Sequence, residues 1–483
     1  FDSDLAGDFR THPTQMREHA EEALRSYDVP KEVKFGNAHV RLANLPKTHA
    51  LQEIRSRHVG QLLQIHGTVA SASTVRSLVD AASFTCQRCG TVNFVPQQEP
   101  ADPSNAEEPH ECQGCERDGP FQIDYEQSEL VDAQTLVIEQ QIRGSGADED
   151  IETIEVRLAD DLVGKVEVGD AVTVTGLLQI SQSTLSTTIT DKYLDTHHIQ
   201  SVDPHDHIEI TQSDVERFVE LSNRDAIYDD IVGSIAPAIS GYEEERLALA
   251  LQLFSGVRKE LPDGSTVRGD IHVLLVGDPG TSKSPLIRAA GQLAPRAVTI
   301  SGTNTTPVGL TAAASPSSGD PDPWEIKGGA LVKANNGLTA IDNLGGFKKE
   351  HFEGLHSALE QQEIDVSKAT VTKTLPAETS VAAAANPKYG RFDQYEPIGE
   401  QLDIPNRVVS QFDIVFTMTD TPDPDRDRDI ARHITTKHHV GEVEAKRSHS
   451  PDSEIQSEDI DEKASELTPA IDTELLRKYI VYA

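Results

Sequence analysis

The stretch IHVLLVGDPGTSKSPLIRAA, residues 271–290, decides how this chain folds. IHVLLVG reads as a strand buried on both faces, ended by a glycine. GDPGTSKS follows at once, and a helical pattern takes over behind it. Small residues at that junction let backbone N–H groups wrap phosphate oxygens, and the start of the helix adds its dipole. The loop consists of Gly277, Asp278, Pro279, Gly280, Thr281, Ser282, Lys283 and Ser284. Lys283 is placed to reach β- and γ-phosphates and Ser284 to ligate magnesium. Ser282 stands where the strict P-loop pattern has a second glycine. Pro285 falls in the first helical turn, where proline is tolerated.

Two further strand ends fit the same site. GLTAIDNLGG, residues 337–346, is an apolar run ending at Asp342, placed to hold magnesium through water. In a nucleotide-hydrolysing enzyme a glutamate that activates water comes next; here it is Asn343. SVAAAANPKYGRFD ends another apolar strand at Asn386, where a side chain touches the γ-phosphate or its attacking water. An Asn before Pro is by itself a turn residue, and the phosphate loop upstream is what favours the functional role. Helices and apolar strands alternate to about Phe416, the signature of a parallel sheet wrapped by helices.

The chain has 483 residues, enough for two or three domains. It carries 80 acidic and 43 basic residues, a formal charge of -37. Such a surface argues against nucleic acid unless the solvent is very salty, where a Debye length of about 3 Å removes the repulsion. The acid is spread along the whole chain, which favours a salt-rich cytoplasm. No apolar run approaches the ~18 residues of a membrane span and no signal peptide is visible, so a cytoplasmic protein with no membrane partner is expected. The start at Phe1 and the end at LLRKYIVYA read as cuts through a longer product.

Cys86, Cys89, Cys112 and Cys115 form C-x2-C-x22-C-x2-C and are the only cysteines. Two such knuckles close a tetrahedral, structural zinc site with no open position for catalysis. Around them the pattern alternates as in strands: LLQIHGTVASASTVRSLV before, then TLVIEQQI, IETIEVRLADD and GDAVTVTGLLQI. A five-stranded barrel with an inserted knuckle fits. The polar run THHIQSVDPHDHIEITQ, from Thr196 to Gln212, reads as a solvated joint, and Pro422 to Pro469 as a loose acidic connector.

The order LQLFSGV, GDPGTSKS, APR, GLTAAA, GALV, ALEQQEI, AAANPKYGRFDQYEPIGEQ and FDIVF resembles the MCM family, the ring-forming AAA+ DNA helicases of archaeal and eukaryotic replication. FTCQRCGT and PHECQGCERDGPF are similar to forms from salt-loving archaea. The resemblance covers nearly the whole chain. It implies a multidomain α/β and β fold: a helical subdomain over 1–57, and an oligonucleotide-type (OB) barrel over 58–200 with the knuckle at 84–121. A linker over 201–212, an AAA+ core over 213–421, and a connector with the start of a lid helix over 422–483 complete it. It also implies ATP, Mg2+ and Zn2+ as cofactors, and a homo- or hetero-hexamer of MCM subunits around DNA, with Asn386 as the first sensor.

Against that family pattern, Asn343 replaces the water-activating glutamate, and Gln411 in SQFD replaces the arginine finger offered to a neighbouring subunit. Arg407, four residues earlier, is a nearby cation, and Gly345 and Gly346 replace an acidic and basic pair. A general base contributes about 10²–10⁴ in rate, and a finger about 10³–10⁵. Lys368 in EIDVSKATV matches the family's DNA-contacting hairpin lysine, and Arg76 falls in a DNA-contact region of the barrel. The N-terminal hairpin, in LLQISQSTLSTTITDKYL, has no basic residue before Lys192. The lid's sensor arginine is not within the sequence, and a missing lid is expected to weaken the ring interface. The expected function is an MCM subunit that binds Mg-ATP and DNA with impaired hydrolysis, either structural or regulatory in the ring or a decaying paralogue. A fully active 3′-to-5′ DNA helicase and an ATP-independent DNA-binding module are the alternatives.

Overall fold

The computed structural model describes residues 7–9, 12–27, 38–101, 106–141, 151–180, 192–202, 208, 210–316, 324–368, 371–393, 395–449 and 468–483. The expected basic-poor hairpin, within 181–191, lies outside the described residues, as do 203–207, 209 and 450–467 of the two expected connectors. The chain forms two units, one of residues 1–202 and 314–327, the other of residues 203–313 and 328–483.

The first unit begins with helix α1 (Pro13–Arg25) and then turns to strands. These are β1 (Leu62–Ser73), β2 (Arg76–Cys86), β3 (Val92–Ala101), β4 (Phe121–Ile123), β5 (Glu129–Gln141), β6 (Ile151–Ala159), β7 (Ala171–Ile180) and β8 (Lys192–Ser201). Pairing runs β1–β7–β8–β6–β5 and returns to β1, closing a five-stranded barrel. The closure rests on β1, which is long enough to serve two neighbours: Leu62 to Thr68 pair with β7, and Thr68 to Ala72 with β5. At the crossing, a Cβ on Gly67 would lie 2.5 Å from Ile138 Cγ2 and 2.7 Å from Glu139 O, so only glycine fits. Alternate residues of these strands point inward. Ile65, Val69, Leu136, Val156, Val174 and Leu194 are fully buried, each contributing about 1.5–3 kcal/mol. β2 runs on past the barrel, pairing with β3 and β4 to carry the cysteine knuckle. Trp324–Gly328 pairs antiparallel with β1, Ile326 opposite Ala72, a contact between distant parts of the chain that no local pattern announces.

The expected joint over Thr196 to Gln212 is corrected in part. Its first residues, Thr196 to Ser201, belong to β8, and His197 is buried in the barrel at 1% exposure. Register with β7 enforces this: Thr196 stands opposite Gly176 and His198 opposite Thr175 across a bulge.

The second unit holds α2 (Gln212–Ser222), α3 (Ile227–Ser234) and α4 (Glu243–Phe254), then the strands β9 (Val273–Gly277), β10 (Ala297–Ser301) and β11 (Gly337–Asp342). α5 (Lys283–Leu293) follows β9, and α6 (Lys349–Gln361) leads into the hairpin β12 (Glu363–Lys368) and β13 (Val371–Pro376). β14 (Thr379–Ala385) and β15 (Ile414–Met418) complete the sheet. The order is β10–β11–β14–β9–β15, all parallel. β9 lies central and wholly buried, as its apolar run requires. Leu249, Leu275, Leu286, Ile287 and Leu293 pack helices α4 and α5 onto it.

Thr211 caps α2 by accepting the Asp214 N–H at 3.2 Å, while Asp214 accepts the Thr211 N–H at 3.0 Å. The Lys478 ammonium, 2.8 Å away on α8 (Thr473–Tyr482), is the main cause that pulls the Asp214 pKa down to about 2. The acidic connector also departs from expectation. Pro424–His449 is a helix, α7, opened by Asp425 and Asp427, which favour a helix N-terminus.

Two buried histidines make stability depend on pH. Burial, with Arg17 and Arg41 nearby, lowers the His197 pKa to about 4. Burial, with Arg268 nearby, lowers that of His272, 1% exposed, to about 3. Both rings are neutral when folded and take a proton on unfolding. Their contribution is therefore complete above about pH 6.5 and is lost as pH falls towards the folded values. At pH 5 each is expected to cost about 2 kcal/mol. Thermal unfolding of wild type against His272→Asn, which keeps an acceptor for the Val381 N–H that His272 Nδ1 now takes at 3.1 Å, checks this. The variant should lose less stability between pH 7 and 5; parallel curves contradict the assignment.

Candidate functional site

The parallel register sets three strand ends at one edge of the sheet. Val276 stands opposite Ala385 and Ile341 opposite Ala383, so Gly277, Asp342 and Asn386 emerge together. β14 lies between β9 and β11, which places Asn386 between the phosphate loop and Asp342. The three ends enclose a cleft of about 390 Å³ lined by residues 279–285, Asp342, Asn343 and residues 384–386. Ligands of open parallel sheets bind at this carboxyl edge.

The loop over 277–284 is shaped by positive φ at Gly280 (87°) and Ser282 (57°), the latter capping α5. The left-handed backbone at Ser282 is one that glycine would take without strain. Lys283 is 6% exposed and folds back across the loop, donating to Gly277 O at 2.8 Å and Asp278 O at 2.7 Å. Burial lowers its pKa, against the pull of Asp278 and Asp342. A phosphate would compete for this ammonium with two carbonyls that carry no full charge.

Ser284 Oγ donates to Asp342 Oδ1 at 2.7 Å, and Arg288, one turn further along α5, reaches Asp342 Oδ2 at 3.2 Å. The contact sets a hydroxyl beside a carboxylate, so magnesium on Ser284 would meet Asp342 through a bound water. The guanidinium beside Asp342 marks the attraction for a cation at that point. The residues present therefore fit magnesium. Arg288 was not singled out from the sequence, although its spacing of four from Ser284 puts both on one helix face.

Asn343 lies in the left-handed region at φ 58°, and its Nδ2 donates to Thr303 Oγ1 at 2.9 Å. A Cβ at Gly302 would sit 2.1 Å from Asn343 O, so the two loops meet backbone to backbone. Gln411 is not in the cleft. Ile414 stands opposite Val273 and Met418 opposite Gly277, so Gln411 lies before β15, at the far edge of the sheet. Five residues of strand span about 16 Å. Its backbone oxygen accepts from Arg268 at 3.3 Å, and the nearby Arg407 faces Glu353 at 3.9 Å. Lys368 is exposed at the end of β12, and Arg76 is half-buried at the start of β2.

In the first unit the four cysteine sulfurs lie within 4.8 Å of one another. Cys86 to Cys115 is 3.9 Å and Cys89 to Cys112 is 3.5 Å. Zinc–sulfur bonds of about 2.3 Å in a tetrahedron separate sulfurs by about 3.8 Å, so this set fits zinc. The Gly114 N–H donates to Cys112 Sγ at 3.4 Å, and the Thr91 hydroxyl and amide pull the Cys89 pKa down to about 6. Both effects favour thiolate, the form that binds metal. A second metal-shaped group, His39, Asp160 and Asp161, is already neutralised: Arg41 and Lys165 pair with Asp161.

One chain thus carries a P-loop α/β unit and an OB-type barrel with a four-cysteine knuckle. The family model described as the MCM P-loop domain matches residues 214–438, and that described as the MCM OB domain matches residues 50–182. The chain is 33% identical to the "Minichromosome maintenance protein MCM" of Saccharolobus solfataricus, over 92% of this chain and 62% of that protein. It is 33% identical to the "DNA replication licensing factor mcm7" of Schizosaccharomyces pombe, over 81% of this chain and 52% of the relative. It is 30% identical to the "DNA helicase MCM8" of Xenopus tropicalis, over 99% and 60%. The chain belongs to the MCM family. It spans about half to three-fifths of the length of these curated relatives. Among the described residues, no helix is long and apolar enough to cross a membrane.

The cysteine geometry gives a direct test. Metal analysis of the purified chain should find one zinc per chain. Chelation should speed amide exchange in 84–123 while leaving β7 and β8 protected. A chain without zinc, or one whose knuckle is indifferent to chelation, contradicts the assignment.

Proposed function

We propose that this chain is an MCM subunit of a ring-shaped DNA-replication helicase that holds Mg-ATP and DNA but turns ATP over slowly. The observation that carries this reading is the cleft's acid–base inventory. Among the described residues lining it, Asp342 is the only carboxylate, and Ser284 and Arg288 already engage it. Asn343 occupies the position of a general base and its amide is tied to Thr303. A neutral amide takes no proton from water, which removes about 10²–10⁴ in rate, or about 3–5 kcal/mol of barrier. Its left-handed backbone also suits Asn better than Glu.

Gln411 weakens the other face. It lies at the sheet edge far from its own cleft; in the ring it would face a neighbour's nucleotide and offer hydrogen bonds without charge. The two losses lie on opposite faces, so such a subunit slows both interfaces it joins in a homo- or hetero-hexamer. When bound, the magnesium held by Ser284 and Asp342 would screen the phosphates, and Lys283 would leave its carbonyls to meet them. Lys368 and Arg76 are the proposed DNA contacts, and four thiolates holding zinc would keep the knuckle folded. The charge of -37 fits a salt-rich archaeal cytoplasm, where fewer phosphate contacts mean weaker DNA binding and counterion release adds little. A structural or regulatory place in the ring follows.

Steady-state ATP hydrolysis by wild type, Asn343→Glu, Gln411→Arg and the double variant tests this. Wild type is expected well below one turnover per second. The double variant should gain at least about 10²-fold, less than the full value of a base and finger because Glu is strained at position 343. Wild-type turnover in the ordinary range, about 1 s⁻¹ or faster, contradicts the reading. Failure to bind nucleotide favours a barrel that acts without ATP.

A further inference from the structure

Asp278 belongs to the phosphate loop by sequence, yet its carboxylate does not line the cleft. It is 6% exposed, and each oxygen accepts one backbone N–H from a different loop. Oδ1 accepts from Phe392 at 3.0 Å, and Oδ2 accepts from Asp420 at 3.0 Å. Its own N–H donates to Met418 O at 3.0 Å. Phe392 lies six residues beyond Asn386, in the segment leaving β14, and Asp420 lies two residues beyond the end of β15.

The first of those segments is braced from within. Gln401, 1% exposed, accepts the Asp393 N–H at 2.6 Å and donates to Asp393 O and Glu396 O, each at 2.9 Å. The Lys388 N–H closes the brace on Gln401 O at 2.7 Å. Gln401 thereby ties Lys388, Asp393 and Glu396 together, and Asp278 fastens that brace to the phosphate loop. Charge-assisted bonds to a buried carboxylate are the strong kind, so the fastening is stiff.

We infer that Asp278 is a positioning residue that couples occupancy of the phosphate loop to the segment carrying Asn386. The lever is Lys283, whose ammonium bonds the Asp278 carbonyl at 2.7 Å. When phosphate draws Lys283 away, that restraint on Asp278 is released, and the carboxylate hands the shift to 387–393 and to 419–420. The segment presents Tyr389, Arg391 and Tyr395 to solvent at its surface, so the coupled piece is also an exposed one.

The inference rests on nucleotide binding as proposed above, and the experiment separates the two. Amide hydrogen exchange is followed on the full chain with and without Mg-ATP, for wild type, Asp278→Asn and Asp278→Glu, with nucleotide binding measured in parallel by a fluorescent ATP analogue. Without nucleotide, Asp278→Asn is expected to exchange about tenfold faster than wild type over 387–393 and 419–421, with β1 and β7 unchanged. Mg-ATP should speed exchange there in wild type, as the Lys283 restraint is released. It should fail to do so in Asp278→Asn even where the analogue binds. Asp278→Glu keeps both acceptor oxygens and should restore protection to within about threefold, a rescue that also decides the matter if Asp278→Asn does not fold. Wild-type exchange in Asp278→Asn, an intact nucleotide response in it, or a Glu variant that behaves like Asn overturns the inference. If wild type binds no nucleotide, the proposed function fails while the nucleotide-free arm still tests the clamp.

Discussion

The nucleotide site depends on the parallel register of β9, β14 and β11. Pairing Val276 with Ala385 and Ile341 with Ala383 brings the phosphate loop, Asn386 and Asp342 to one edge. A one-residue slip in any pair would turn the strand's side chains to the other face. Burial on both faces fixes that register, because β9 and β14 have no solvent side to which a slipped strand could turn. Burial also explains the run of alanines in β14: small side chains let helices approach the sheet from both faces. The 2.7 Å contact of Ser284 with Asp342 is therefore a consequence of strand packing as much as of local chemistry.

On the proposed reading, the site keeps what binding needs and lacks what hydrolysis needs. Lys283 is buried across the loop, and Ser284 and Asp342 already lie side by side. Asn343 is not a bare gap. Its amide has a partner in Thr303 and its backbone takes a conformation that asparagine tolerates well. The surroundings have settled around the amide, so restoring a glutamate brings strain as well as a base. Asp278, a member of the same loop, is spent on holding two neighbouring segments.

Much of this was legible in the sequence, for reasons of locality. The phosphate loop, Asp342 and Asn386 are each read at one strand end, and the four cysteines in two short knuckles. Barrel strands alternate clearly enough to be counted. What escaped was long-range or masked by polarity. His197 reads as part of a polar joint, and only pairing with β7 shows that strand β8 runs through it. Pro424–His449 reads as loose acid because its composition hides a helical spacing. Pairing of Ile326 with Ala72 joins residues 254 positions apart, and no local pattern carries that information. Asp278 looked like a phosphate ligand because its neighbours are; its partners, Phe392 and Asp420, lie more than 110 residues downstream. Gln411 can be judged only against a neighbouring subunit's nucleotide, and its place far from its own cleft is invisible to periodicity.

The central claim is that this chain holds Mg-ATP and turns it over slowly. It is tested most directly by chemical analysis of the nucleotide recovered from the complex. The full chain is loaded with ATP and magnesium, freed of excess nucleotide, and held at working temperature and salt for many turnovers of an ordinary MCM enzyme. The account predicts that the recovered nucleotide is ATP. Recovery of ADP, with phosphate released in equal amount, would contradict it.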